Sequence, residues 1–196
     1  MSESCGAVIL AAGASKRLGH PKQLLQIDGE SLIRRTVRFA TEAGCAPVCV
    51  VVGAHAEQIT AELCSSGAMT FLNTKWDEGI GTSIRCGVSS LLQIGPNISN
   101  IVFLVCDQIR LSVTVLRELQ STSDAHRLDI VASEYAGILG VPAIFPREFF
   151  QELQHLRGDR GARQVIKKYA HRVKAVAFDG GNVDVDTTAD LALWAG

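Results

Sequence analysis

From Leu10 to Lys22 the chain reads Leu-Ala-Ala-Gly-Ala-Ser-Lys-Arg-Leu-Gly-His-Pro-Lys, which gathers cations and glycines into one short segment. Gly13 and Gly19 let backbone N–H groups approach an anion closely, while Lys16, Arg17 and Lys22 add positive charge. A triphosphate needs both direct hydrogen bonds and neutralisation, so this composition suits one. A second candidate is Asp107, where the apolar run 101–106 stops abruptly. A carboxylate at the end of a strand, beside a phosphate loop, suits Mg²⁺, a hard ion that takes one or two carboxylates plus substrate phosphates. The third is the pair Asp184 and Asp186, whose side chains would point the same way if the segment is extended.

Each feature also has a plainer reading. The loop would serve as a solvated turn with surface lysines, and Asp107 as a turn residue or helix cap. Ser112, five residues on, is better placed to cap the helix that follows. Asp186 or Thr187 would cap a last helix carrying Leu191 and Trp194. The loop matches neither common phosphate motif. Five residues separate Gly13 from Gly19 and His-Pro-Lys follows, unlike G-x-x-x-x-G-K-[ST], and Ala14-Ser15 breaks the G-x-G-x-x-G spacing of dinucleotide-binding dehydrogenases. His20 is the one histidine inside this loop.

Apolar runs and amphipathic segments alternate around these residues. Strands are expected at 7–11, 48–52, 69–72, 101–106, 129–132, 143–145 and 175–178. Asp28-Gly29 signals a turn, Ser31 caps a helix with Leu32, Ile33, Val37 and Ala40 on its apolar face, and Gly44 stops it. Further helices are expected near 56–64, from a Thr82 cap to Leu92 before Gly95-Pro96, after Ser112, and around 147–156, 161–169 and 187–194. Strands buried on both faces and separated by helices predict an α/β fold: one Rossmann-like three-layer domain over residues 1–196 with a mostly parallel central sheet. Ligands of such sheets sit beyond the carboxyl ends of the strands, where the glycine-rich loop falls.

Composition narrows the partners. With 196 residues and 47% hydrophobic content the chain can bury a core without staples. A formal net charge of −1 advertises neither nucleic acid nor an anionic membrane, so the expected partners are small molecules. The polar start and the short apolar run 7–12 predict no secretory leader and no membrane span. Six scattered cysteines without a C-x-x-C pair read as reduced thiols of a cytoplasmic protein. Cys45 and Cys49 are four apart, yet no second Cys or His pair lies near enough to complete a metal site.

The loop is similar to the signature L-A-x-G-x-S-x-R-M-G-x-x-K of the MobA-like nucleotidyltransferases, a Rossmann-like family that includes molybdenum cofactor guanylyl- and cytidylyltransferases. Cys106-Asp107-Gln108 resembles its C-D-Q-P, with Ile109 in place of Pro, and 183–187 resembles the start of D-I-D-T-P-E-D-L, with Thr188-Ala189 replacing Pro-Glu. Residues 76–87 resemble the W-x-x-G-M-x-x-S-L-x-x-G of the cytidylyl branch; Gly140-Val141-Pro142 and 158–163 resemble its G-x-P-x-x-F and G-D-x-G-A-R. The motifs stand in the family's order from Ala7 to Leu191.

The resemblance implies a nucleotide site of Leu10, Ala11, Ala12, Gly13, Ser15, Lys16, Arg17, Lys22, Gly79 and Ser83, in which Arg17 and Lys22 hold phosphates. It implies Mg²⁺ on Asp107 and Asp186, catalysis by Arg17, Lys22 and Asp107, and an acceptor side of Pro142, Asp159, Arg160 and Arg163. Arg160 and Arg163 grip an acceptor phosphate on one reading and cap and solvate a short helix on the other. Ala12, where guanylyl members carry Gly, favours CTP, and molybdopterin is the implied acceptor, with a molybdoenzyme as a possible recipient of the product. Two alternatives stay open: a transferase acting on a sugar or polyol phosphate, and a nucleotide- or cofactor-carrying protein without turnover.

Overall fold

The computed structural model describes residues 4–184. Strand β1 (Cys5–Ala11) runs down the middle of a seven-stranded sheet. A two-residue ladder, β2 (Gln26–Ile27) and β3 (Glu30–Ser31), turns through Asp28 and Gly29, both at positive φ (53° and 77°). Such a turn suits Asn, Asp and Gly. Helix α1 (Leu32–Glu42) follows, with the Ser31 side chain accepting from the Arg34 N–H as its cap. Then come β4 (Val48–Val52), α2 (Ala56–Glu62), β5 (Met69–Leu72), α3 (Ile80–Ile94) and β6 (Asn100–Val105). After α4 (Val113–Ala125), capped by Ser112, the chain forms β7 (Ile130–Tyr135), β8 (Ile138–Pro146), α5 (Phe150–Gln154), α6 (Ala162–Lys168) and β9 (Val173–Ala177).

The sheet order is β5-β4-β1-β6-β8-β7-β9, and every pairing is parallel except those of β8. Period-2 alternation distributes the core. Ala7, Ile9 and Ala11 face the layer of α1, α2 and α4, while Val8 faces that of α3, α5 and α6. The result is the expected three-layer α/β domain. Winding runs from β1 outward to β4 and β5, then returns to β6 on the other side of β1. That reversal opens a crevice at the carboxyl ends of β1 and β6, where doubly wound sheets bind ligands.

Two details differ from the sequence expectation. Helix α3 starts at Ile80 with Gly79 as its cap, so Thr82 lies inside the first turn. Its hydroxyl stands 2.8 Å from the carbonyl oxygens of Lys75 and Gly79, holding the preceding turn rather than capping the helix. The expected strand at 143–145 is the far end of a longer antiparallel strand. β7 and β8 form a hairpin turned by Ala136 and Gly137 at φ 48° and 71°. Because β8 runs backwards, its start lies at the carboxyl edge of the sheet, beside the end of β6.

Candidate active site

The crevice holds a cavity of about 430 Å³ lined by Leu10, Ala12, Gly13, Lys16, Lys22, Trp76, Gly79, Ser83, Asp107 and Asp159, among others. Its cations come from the loop after β1 and its principal carboxylate from the residue just beyond β6. Lys22 Nζ is in direct contact with Asp107 Oδ2, across 85 positions of sequence, and the two side chains are 22% and 18% exposed. The other carboxylate oxygen, Asp107 Oδ1, is buried without a hydrogen-bond partner. A buried oxygen left without a donor is costly unless something else satisfies it.

Gln23 shapes the phosphate loop. Its buried side chain donates through Nε2 to the Ala11 carbonyl at 2.9 Å and to the Gly13 carbonyl at 3.0 Å. The Lys22 N–H donates to Ser15 Oγ at 3.1 Å, and Ser15 sits at φ 49°. Thus Ser15, expected to meet nucleotide, directs its hydroxyl at the loop's own backbone. His55 Nε2 lies 3.1 Å from the Ala14 carbonyl and the Ala54 N–H donates to the Ala12 carbonyl at 3.1 Å, tying the loop to the turn after β4. Gly53 is required there, since a Cβ would come within 2.7 Å of both Ala12 O and the Trp76 side chain. Neither Gln23 nor His55 stands out in the sequence; His20, which does, is exposed on the loop.

The opposite wall joins two segments that sequence assigns to different substrates. Gly79 has φ 107°, and a Cβ on it would stand 2.3 Å from the Gly158 carbonyl carbon. The Gly81 N–H donates to the Gly158 carbonyl at 2.9 Å. The nucleotide-side turn at 79–83 and the acceptor-side turn at 158–161 therefore pack backbone to backbone, and Asp159 lines the same cavity as Gly79. Asn73, buried at the end of β5, donates to Thr82 Oγ1 at 2.8 Å and Ser83 Oγ at 3.0 Å, fixing the start of α3.

Other expected residues stand apart. Arg17 and Ser15 line a smaller adjoining hollow with Leu18, on the outer side of the loop, and Arg17 is exposed. Ala11 is buried at the end of β1. Pro142 is buried within β8 and does not line the cavity. Arg160 is exposed, while Arg163 joins Asp159 and Lys167 around a separate hollow beside the cleft. Asp186 lies outside the described residues. Asp184, its alternative, pairs through its backbone with Gln108 in an isolated antiparallel bridge, which brings the acidic segment next to Asp107.

Electrostatics agree with this placement. Burial pushes the Cys106 thiol up to about 12, with Asp107 pushing the same way and Lys22 opposing. Tyr135 is raised above its ordinary value by burial first and then by Asp184, so its ring feels the acidic segment. Among the described residues no group of three or more His, Cys, Asp or Glu side chains forms a metal cage. One carboxylate with a buried, unpartnered oxygen nevertheless fits Mg²⁺ or Mn²⁺ when substrate phosphates complete the shell. A hollow of about 460 Å³ at the other end of the sheet, lined by Cys5, Asn100, Gln120 and Asp124, offers no cationic side chain for a triphosphate.

Fold and crevice together define a nucleotidyltransferase. The family model described as the MobA-like NTP transferase domain matches residues 7–173, and the chain belongs to that family. Rv0371c of Mycobacterium tuberculosis H37Rv superposes with a TM-score of 0.84 at 30% identity, covering 100% of both chains. Its manganese complex gives 0.79 at 28% identity over 97% of both. Nicotine blue oxidoreductase of Paenarthrobacter nicotinovorans is 28% identical across 94% of this chain and 93% of its own length. The purine catabolism protein PucB of Bacillus subtilis is 29% identical across 95% and 93%. Among the described residues no helix is long and apolar enough to cross a membrane.

Proposed function

We propose that this nucleotidyltransferase transfers CMP from CTP to molybdopterin with release of pyrophosphate. The observation that carries the reading is the meeting of Lys22 and Asp107 under the phosphate loop, with a second Asp107 oxygen buried and unpartnered. A lysine that can hold phosphate and a carboxylate that can hold a divalent cation are what α-phosphate substitution asks of a protein. Mg²⁺ is the natural ion for CTP, and a solved manganese complex of a relative supports a divalent metal.

The reaction is an in-line displacement. A phosphate oxygen of the acceptor attacks the α-phosphorus, the bond to the bridging oxygen breaks, and pyrophosphate departs. The attacking oxygen is already anionic, so no protein base or nucleophile is needed. Lys22, Lys16 and Arg17 neutralise the triphosphate, and the loop N–H groups orient it. Asp107, with Asp184 or Asp186, would hold the divalent ion, which supplies positive charge to the phosphates when bound. Ala12 lines the cavity and fills space that a purine would need, which supports CTP over GTP. Asp159, Arg160 and Arg163, beyond the 79–81 turn, form the acceptor side, with Pro142 shaping β8 behind it.

The name of one relative, an oxidoreductase, favours a second reading: reduction by a nicotinamide cofactor. The loop lacks the dinucleotide spacing, and Lys22 with Asp107 serves phosphate and metal rather than hydride transfer. One experiment separates these readings. Purified protein is titrated with CTP and GTP in Mg²⁺, then assayed for pyrophosphate with molybdenum-loaded molybdopterin, and for NADH oxidation. CTP-selective binding with acceptor-dependent release is the expected result. CTP binding without release would shift the acceptor to a sugar or polyol phosphate, or make the chain a carrier. NADH oxidation without nucleotide turnover would overturn the transferase reading.

A further inference from the structure

Gln108 follows Asp107 directly and is buried, and it is not among the residues lining the cleft cavity. Nε2 donates to the Val141 carbonyl at 2.9 Å and to the Gly181 carbonyl at 2.8 Å. Its backbone pairs with Asp184. One residue thus stitches together the end of β6, the start of β8 and the turn after β9. That turn is closed by its own bonds, from Gly181 N–H to Phe178 O and from Val183 N–H to Gly180 O, both 3.0 Å. Its other side rests on Tyr135, whose ring meets Phe178 edge to face at 6.1 Å. The fit is close: a Cβ at Gly181 would stand 2.5 Å from Tyr135 Cδ1 and 2.6 Å from Phe178 Cδ1, and one at Gly140 would stand 2.4 Å from the Tyr135 hydroxyl.

We infer that Gln108 is a positioning residue for the divalent-ion site: its amide seats the 178–184 turn, and with it Asp184, beside Asp107. The inference rests on the nucleotidyltransferase reading of the site and assigns a function to a side chain that does not line the cleft cavity. Asp107 alone offers one carboxylate, and among the described residues no complete cage exists. Asp184 is the carboxylate that the turn can add to Asp107; Gln108 bonds that turn to the end of β6, and the Arg110 side chain packs against it at Gly180. Groups that orient ligands from behind commonly set metal affinity by roughly 10–100-fold.

Two variants approach the turn from opposite sides. Gln108→Leu keeps the volume and removes both donated bonds; Gly181→Ala leaves Gln108 intact and drives the turn off Tyr135. Mn²⁺ binding is read by electron paramagnetic resonance with CTP present and no acceptor, CTP affinity is measured in EDTA, and backbone hydrogen exchange is followed over 178–184. Both variants should bind Mn²⁺ roughly 10–100-fold more weakly, with CTP affinity in EDTA unchanged and protection lost in that turn alone. Unchanged protection in both variants, or Mn²⁺ affinity equal to the parent, would overturn the inference while leaving the transferase reading intact. A parent protein that binds no Mn²⁺ with or without CTP would overturn both. Should Gln108→Leu fail to fold, Gly181→Ala decides alone.

Discussion

On the β1 flank of the cleft, Gln23, Ser15, His55 and Asn73 all direct their polar atoms at neighbouring backbone or side chains, so the loop and the start of α3 are held before any ligand arrives. On the far flank Arg160 and Arg163 stand exposed, and neither is tied to another side chain by a hydrogen bond or ion pair among the described residues. The first flank resembles a mould, with cations fixed around a shape that every NTP shares. The second presents exposed charges, Arg160 on the 158–161 turn and Arg163 in the first turn of α6, suited to an acceptor whose position is set only after the nucleotide is in place. Preorganisation contributes to rate where charge is transferred, and adaptability contributes to choice of acceptor. Substitutions on the two flanks should therefore divide cleanly between turnover, nucleotide affinity and acceptor affinity.

The largest effect belongs where the flanks meet. Asp107→Asn retains shape and removes the charge that faces Lys22. Turnover, measured as pyrophosphate release, should fall about 10³-fold or more, with CTP affinity in EDTA little changed. Near-normal turnover would remove Asp107 from the mechanism and leave the contrast between flanks without its pivot. Next comes the mould itself. Gln23→Leu strands the buried Ala11 carbonyl oxygen, at a cost of about 1–3 kcal/mol, and frees the Gly13 carbonyl, which water can reach. The expected outcome is a lower Tm and a nucleotide KM raised about tenfold, with acceptor KM unchanged. An equal rise in both constants would mean that the flanks move as one body.

The exposed flank should respond more weakly. Replacing Arg160 and Arg163 together by Gln should raise acceptor KM by about three- to tenfold and flatten its dependence on salt, because exposed charges act through screened fields. Nucleotide KM should not move. If it does, the packing of Gly79 and Gly81 on Gly158 transmits the change, and the acceptor flank is part of the nucleotide site.

Which of these features could be read from the sequence follows physical lines. Local signals carried well: Ser31 and Ser112 cap their helices, Asp28-Gly29 turns, and the apolar runs at 48–52 and 69–72 are strands with those bounds. Asp107 was visible because an ionised side chain at the end of an apolar run is conspicuous. The β7–β8 hairpin was not, since Ala136 at φ 48° occupies a turn position that normally advertises itself with Asn, Asp or Gly. Gln23 and Gln108 were invisible as anchors because a neutral amide gives no pattern of its own. Its partners, the carbonyls of Ala11, Gly13, Val141 and Gly181, are brought to it only by the folded sheet.

The smallest effect offers the finest view of the contrast. Cys106 lies buried directly before Asp107, and burial raises its thiol to about 12, so near neutral pH the reactive thiolate is scarce. Cys64, just past the C-terminal end of α2, is exposed and should react with iodoacetamide readily. Labelling of Cys106 then reports openings of the β1 flank, because reagent must enter past the loop. Its rate should climb with pH, since the thiolate fraction rises tenfold per unit below the raised value, while remaining far below that of Cys64. Gln23→Leu, which loosens the mould, should accelerate Cys106 several-fold; the Arg160 and Arg163 pair of substitutions should leave it alone. Equal acceleration by both would show that the acceptor flank also holds the crevice closed, and the division between an anchored and an exposed wall would have to be redrawn.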